Sequence, residues 1–161
     1  MESTMAHRIG VNMSFVDWTS HREGRVAYSY EKFAAAKSWM FERWTEFASE
    51  RGLARPVDLS GSCKYGSIFV QSIFGGSIRG HFQHQYNFLS GRLVDMSHDA
   101  LDVGQMRNPY LHEPEYFNVP ELQTSLATCV ARAERWADEF IETRARVESG
   151  PEHPPAARTK K

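Results

Sequence analysis

Cysteine is scarce in this 161-residue sequence, which holds only Cys63 and Cys129. Two thiols in a chain of this length cannot build a disulfide scaffold and give no sign of an oxidising compartment. An excess of either charge is also missing. Nineteen Lys and Arg meet twenty Asp and Glu, a formal net charge of -1. Without a basic field there is no electrostatic basis for nucleic-acid binding. Long apolar runs are absent as well, so no membrane span or membrane partner is expected. The opening residues, Met1 to Phe15, do not have the basic-then-apolar order of a secretory signal. No repeat recurs at a solenoid period. What remains is a globular protein, expected in the cytoplasm.

The residues that are present suit that class. Hydrophobic residues make up 41% and charged residues 24%, near the average for globular proteins. The length fits one domain, which buries roughly two-thirds of its unfolded surface. From Ser149 onward, Gly150, three prolines and two terminal lysines leave little to bury. A single domain over 1–148 and a disordered tail over 149–161 are expected.

Two segments carry apolar residues at helical spacing. Tyr30, Phe33, Met40, Phe41, Trp44, Phe47 and Ala48 predict a long amphipathic helix, ended by Gly52 and turned away by Pro56. Leu122, Leu126, Cys129, Val130, Ala133, Trp136, Ala137, Phe140 and Ile141 predict a second from about Pro120 to Val147. Pro120 and Glu121 suit its start, and Arg144 and Arg146 its end. Cys129 lies on that stripe and reads as a small buried thiol.

The middle of the chain differs. Between Ser60 and Ser97 only Lys64, Arg79, Arg92 and Asp95 are charged, as expected of a part buried on more than one side. It reads as a helix opening at Cys63 and stopped by Gly75-Gly76. A strand over 78–89, a Ser90-Gly91 turn and a return strand over 92–97 follow. Residues 99–119 hold Pro109 and Pro114 with Tyr110, Tyr116 and Phe117. They predict an ordered loop lying across the core or across a site.

Cys63 at a helix start meets free amide donors and the positive end of the helix dipole, which favour thiolate, the nucleophilic form. A base within reach, and a third group to orient it, would complete a nucleophilic site. With Leu89 paired to Arg92, His84 falls opposite Ser97 and Tyr86 opposite Asp95. His84, Tyr86, Phe88, Leu93, Asp95 and Ser97 then share one face, with Asp95 diagonal to His84. A slip of one residue would separate that pair. If the central helix packs on the same face, Cys63, His84 and Asp95 converge. The plainer alternatives are a structural thiol and a His84–Asp95 pair kept for folding alone. A zinc site from Cys63, His81, His84 and Asp95 can be drawn from ligand types. His81 and His84, three apart on one regular strand, would face opposite ways, so no metal is expected. His81 and His98 read instead as solvent or loop residues, and Gly75-Gly76 as a helix stop rather than a phosphate loop.

The order of a helix-start cysteine, a strand histidine and an aspartate on the next strand resembles papain-like and transglutaminase-like enzymes. Gly61-Ser62-Cys63, then Phe74-Gly75-Gly76, His84-Gln85-Tyr86-Asn87 and Gly91-Arg92-Leu93-Val94-Asp95-Met96-Ser97 are more specific together. They are similar to the bacterial YunG-like family, whose pattern is G-x-C, a helix ending near F-G-G, H-x-x-N and G-x-x-V-D-[LM]-[ST]. The flanking helices lie outside this match. The resemblance implies a small cysteine-hydrolase-like domain. The fold expected is then α+β, a central helix bearing Cys63 packed on a small antiparallel sheet, flanked by the two long amphipathic helices read from their periodicity. The resemblance assigns Cys63, His84 and Asp95 to a triad.

One departure stands out. Papain-like enzymes place a glutamine shortly before the cysteine to help form the oxyanion hole, and Val57, Asp58, Leu59 and Ser60 occupy that region here. The Cys63 N–H remains as one donor, with Gln83 or Gln85 as candidates for a second. Losing one donor costs about 100- to 1000-fold in rate. Asn87, a further orienting candidate, falls on the other face from His84 if the strand is regular. The expected function is thiol-dependent acyl transfer, most simply amide hydrolysis, on a protein or peptide and without a cofactor. The alternative is a non-catalytic protein-interaction module of the same fold.

Overall fold

A computed structural model describes residues 15–148. The expected tail over 149–161 lies outside the described residues. Among the described residues the fold is mixed α+β, with four helices and a three-stranded antiparallel sheet of order β1-β2-β3.

Helix α1 (Tyr30–Glu50) opens where the Ser29 hydroxyl accepts from the Lys32 N–H at 3.1 Å, satisfying a donor that the first turn leaves free. It buries Phe33, Ala36, Met40, Trp44, Phe47 and Ala48. Helix α2 (Cys63–Phe74) runs through the middle and buries every residue from Gly66 to Phe74 except Ser72. A helix apolar nearly all round belongs inside a fold. After the sheet and the short α3 (Leu101–Gly104), a 3-10 turn over Pro114–Asn118 leads into α4 (Pro120–Glu148). Its buried set, Leu122, Leu126, Cys129, Ala133, Trp136, Ala137 and Phe140, is the expected stripe except for Val130 and Ile141, which are only partly buried against the same core.

Tyr65 of α2 ties the long helices together. Its ring centroid lies 5.7 Å from Trp44, 5.4 Å from Phe47 and 5.8 Å from Trp136, within the range of favourable aromatic pairs. At the other end of α2, Gly75 and Gly76 both adopt φ of +81°. A Cβ at Gly75 would run into Gly24 and Arg22 backbone, because the N-terminal segment pairs there, Arg22 bonding both ways with Gly76.

The sheet departs from expectation in two places. The strand expected over 78–89 is two strands, β1 (Ser77–His81) and β2 (His84–Leu89), joined by a tight turn at Phe82-Gln83. Neither turn residue is of the Asn or Gly type that announces a hairpin. Close approach is secured instead by Gly80, at φ of +136°, where a Cβ would collide with the His84 carbonyl. The return strand β3 (Arg92–Val94) is shorter than 92–97. Asp95 ends it, its Oδ1 accepting from the Ser97 N–H at 3.0 Å, a side-chain turn that competes with the ladder. Where β2 and β3 do pair, the register is the expected one: Leu89 with Arg92, Phe88 with Leu93 and Asn87 with Val94.

Candidate functional site

Three chain segments deliver the site. The loop before α2 is clamped by the α3 region: Asp102 Oδ2 accepts from the Gly61 N–H and Asp58 Oδ2 from the Leu101 N–H, both at 2.8 Å. The Asp102 N–H donates in turn to Ser60 Oγ at 3.1 Å. Backbone donors from Leu101 and Ser60 hold the Asp58 carboxyl below its usual range. Ser62, fully buried, donates its hydroxyl to the Leu59 carbonyl and makes no cap on α2. Cys63 therefore stands, half-buried and unpaired in any disulfide, at a helix start whose first turn no side chain caps.

His84 is 0% exposed and Asp95 6% exposed. The ring Nε2 lies 2.8 Å from Asp95 Oδ2. An ionised carboxylate can only accept, so Nε2 carries the hydrogen and Nδ1 is turned away from Asp95. Nδ1 is buried and makes no hydrogen bond to a described residue within ordinary geometry. Burial disfavours a charged ring, but the Asp95 hydrogen bond and the nearby Cys63 thiol outweigh it and push His84 from 6.5 up to about 9. Burial likewise opposes the Asp95 charge. The bond from His84 and donors from Tyr110 and the Ser97 N–H prevail, holding the carboxyl below its usual range.

All of the carboxylate's accepting capacity is used. Oδ2 takes His84 and the Tyr110 hydroxyl, the latter at 2.8 Å, while Oδ1 takes the Ser97 N–H and hydroxyl. Tyr110 belongs to the segment expected to lie across the core or a site, and it lies on Asp95. Its own carbonyl accepts from the Tyr86 hydroxyl at 2.7 Å. Nearby, Glu113 donates its N–H to the Gly80 carbonyl, and His112 Nδ1 accepts from the Gly80 N–H. Aromatic residues among prolines mark this segment as ordered cover. Nothing local marks Tyr110 rather than Tyr116 as the one that reaches the carboxylate.

Asn87 lies on the opposite face of β2 from His84, as expected, but α2 takes that face rather than the one expected. Helix α2 meets β2 through Gln85 and Asn87, not through the face carrying His84. Cys63 Sγ donates to Gln85 Oε1 at 3.3 Å, and Asn87 Nδ2 to the Ser67 carbonyl at 2.9 Å. Ile78 and Leu89 supply the apolar part of that face. His84 and Tyr86 stack on the other side, where Phe88 is half-buried and Leu93 exposed. The helix takes the face that offers apolar cover and side-chain amides for its backbone. Cys63 lies where the two faces meet, within reach of both Gln85 and His84.

Gln85 Nε2 donates to the His81 carbonyl, so its carbonyl rather than its amino group faces the thiol. In this arrangement it is not an oxyanion donor. Gln83 sits in the exposed β1–β2 turn, its N–H donating to His81 Nδ1 at 3.3 Å. A pocket of about 380 Å³ opens there, lined in part by His81, Phe82, Gln83, Arg107 and Tyr116. His81 is buried rather than solvent-facing, and it is the direct cross-strand partner of His84. The two histidines are thus not three apart on one strand, because the chain reverses between them. Among the described residues no group of three or more His, Cys, Asp and Glu is placed to hold a metal ion. Nor is any described helix long and apolar enough to cross a membrane. No family model, curated protein or solved structure matches this chain.

Proposed function

We propose that the protein catalyses thiol-dependent acyl transfer, most simply hydrolysis of an amide in a protein or peptide, through Cys63, His84 and Asp95. The observation that carries this reading is the His84 ring, held at Nε2 by Asp95 at 2.8 Å and biased toward its charged form by Cys63. A buried imidazole gripped on one nitrogen by a carboxylate, with a thiol close enough to bias its charge, is the arrangement that nucleophile–base–orienter catalysis needs.

In the proposed reaction His84, raised to about 9, already holds the Cys63 proton on Nδ1, and the thiolate Sγ attacks the carbonyl carbon. The oxyanion that forms meets the Cys63 N–H at the uncapped start of α2. His84 then gives its proton to the departing amine as the C–N bond breaks, leaving a thioester on Cys63. Water, deprotonated by His84, attacks the thioester, and the acid and the free thiol are released. Asp95 keeps the imidazole in one tautomer throughout. The YunG-like resemblance around Cys63, His84 and Asp95 supports a papain-like or transglutaminase-like version of the α+β fold. Cytoplasmic location fits a free thiol that must remain reduced.

A non-catalytic interaction module draws support from Gln85, whose amino group is committed to the His81 carbonyl. Labelling with iodoacetamide across pH 5–9 separates the two readings. The acyl-transfer reading expects Cys63 to alkylate near pH 6 at least ten times faster than a free thiol, whose usual pKa is about 8.5. His84→Ala should abolish that advantage, and Cys63→Ala should leave only background. Labelling at the rate of a free thiol and indifferent to His84 would sink the enzyme.

A further inference from the structure

We propose that Tyr110 is a positioning residue of this site, donating to the same Asp95 Oδ2 as the His84 ring and so setting how tightly that ring holds its proton. The inference rests on the reading of Cys63, His84 and Asp95 just given, and it assigns a fourth member that the sequence does not reveal. Its basis is geometric. A carboxylate cannot donate, so the Tyr110 hydroxyl at 2.8 Å from Oδ2 must be the donor. His84 Nε2 lies at the same distance from the same oxygen. One acceptor atom therefore serves two donors, and what Tyr110 takes from Oδ2 is not available to the imidazole.

Tyr110 is itself fixed. Its ring packs edge-on to Tyr86 at 5.2 Å and to His84 at 5.9 Å, and its carbonyl accepts from the Tyr86 hydroxyl. Burial and the neighbouring Asp95 charge push its phenol above the ordinary range, which keeps the hydroxyl a donor. Among the described residues, the groups placed against His84 come from five elements. Cys63 comes from α2, Tyr86 from β2, His81 from the paired position on β1, Asp95 from the end of β3 and Tyr110 from the segment after α3. Of these, Tyr110 alone donates to the Asp95 oxygen that His84 also uses. Phenol removal should therefore leave the carboxylate charge to His84 alone and tighten that ring's hold on its proton.

Tyr110→Phe tests this, since it deletes one oxygen and keeps the ring that packs on Tyr86 and His84. The readout is the His84 titration followed by NMR of the imidazole C–H signals, with His84→Ala used to assign the resonance. The expected result is an upward move of roughly half a pH unit, about a threefold gain in proton affinity. Incorporating 3-fluorotyrosine at position 110 alone makes the hydroxyl a stronger donor and should move the midpoint downward. That opposite sign is something a merely structural role would not produce. It also keeps the test open should Tyr110→Phe fold poorly. A His84 midpoint that stays put or falls in Tyr110→Phe, or that does not fall with 3-fluorotyrosine, overturns the proposal.

Iodoacetamide labelling of the same proteins distinguishes this failure from failure of the acyl-transfer reading. Fast, His84-dependent labelling with an unmoved titration removes Tyr110 and leaves the triad standing. Labelling at the rate of a free thiol removes the triad, and the role of Tyr110 in it, whatever the titration does.

Discussion

The two thiols of this chain occupy opposite kinds of surroundings, though both belong to helices packed in the same core. Cys129 lies about a third of the way along α4 on its buried stripe, and its Sγ donates to the Ser125 carbonyl of its own helix at 3.4 Å. Burial pushes that thiol above its usual value. Cys63 opens α2, half-buried, with an amide oxygen on one side and a histidine–aspartate pair within reach. The lesson is that a helix's middle offers a side chain only packing, because its backbone donors are already spent. A helix's first turn has free donors, and loops converge on it. Chemistry therefore gathers at α2's start and stability along α4.

That contrast can be broken from the packing side first. Trp136 meets Phe47 and Tyr65 at centroid distances of 6.1 and 5.8 Å and is almost fully buried. Trp136→Ala should cost about 3–5 kcal/mol of unfolding free energy, read by urea denaturation. At temperatures where the variant remains folded, the titration of His84 should be unchanged. A shifted titration would mean that the aromatic core and the site are one unit rather than two.

A smaller effect should appear as pH dependence arising in the site alone. His84 is raised from 6.5 to about 9 on folding, so its stabilising contribution is complete below pH 6.5 and is lost as pH rises through about 9. Asp95 is lowered from 3.8, so its contribution is present above that value and is lost as pH falls through its depressed pKa. Unfolding free energy measured from pH 3 to 10 should decline at both ends, with the alkaline decline, on the order of a few kcal/mol, missing in His84→Ala. A wild-type curve flat between pH 6.5 and 9 would contradict the ring's charged, paired state.

The smallest effect belongs to the second thiol. Cys129→Ala should destabilise by about 1 kcal/mol and leave iodoacetamide labelling of Cys63 as in the wild type. If the variant slows labelling of Cys63 instead, the two thiols are coupled through Tyr65.

Much of the scaffold was legible in residue order. The apolar stripes anticipate α1 and α4 because helical periodicity is a local signal and their ends carry the local punctuation of Ser29, Gly52 and Pro120. The β2–β3 register was legible because Ser90-Gly91 is a turn by its chemistry. That register carried Asp95 to the same side as His84. The β1–β2 reversal was not legible, since Phe82-Gln83 lacks turn chemistry and Gly80 acts through a close approach to His84 that only the paired strands reveal. His81 was misjudged for the same reason, its burial and its pairing with His84 both following from the missed turn.

By itself the sequence determined where the helices run, which cysteine packs and which one opens a helix, and that a histidine and an aspartate share one side of a hairpin. Each is a matter of period, cap or turn, decided by neighbours a few residues away. Tertiary structure alone decided that α2 lies on the Gln85 and Asn87 face, that Gln85 turns its carbonyl to the thiol and that Tyr110 reaches Asp95. These depend on how segments far apart in the chain share a limited set of donors and acceptors. Asn87 goes to the Ser67 carbonyl, Gln85 to the His81 carbonyl and Tyr110 to Asp95, because a buried polar atom left without a partner costs more than the packing around it returns.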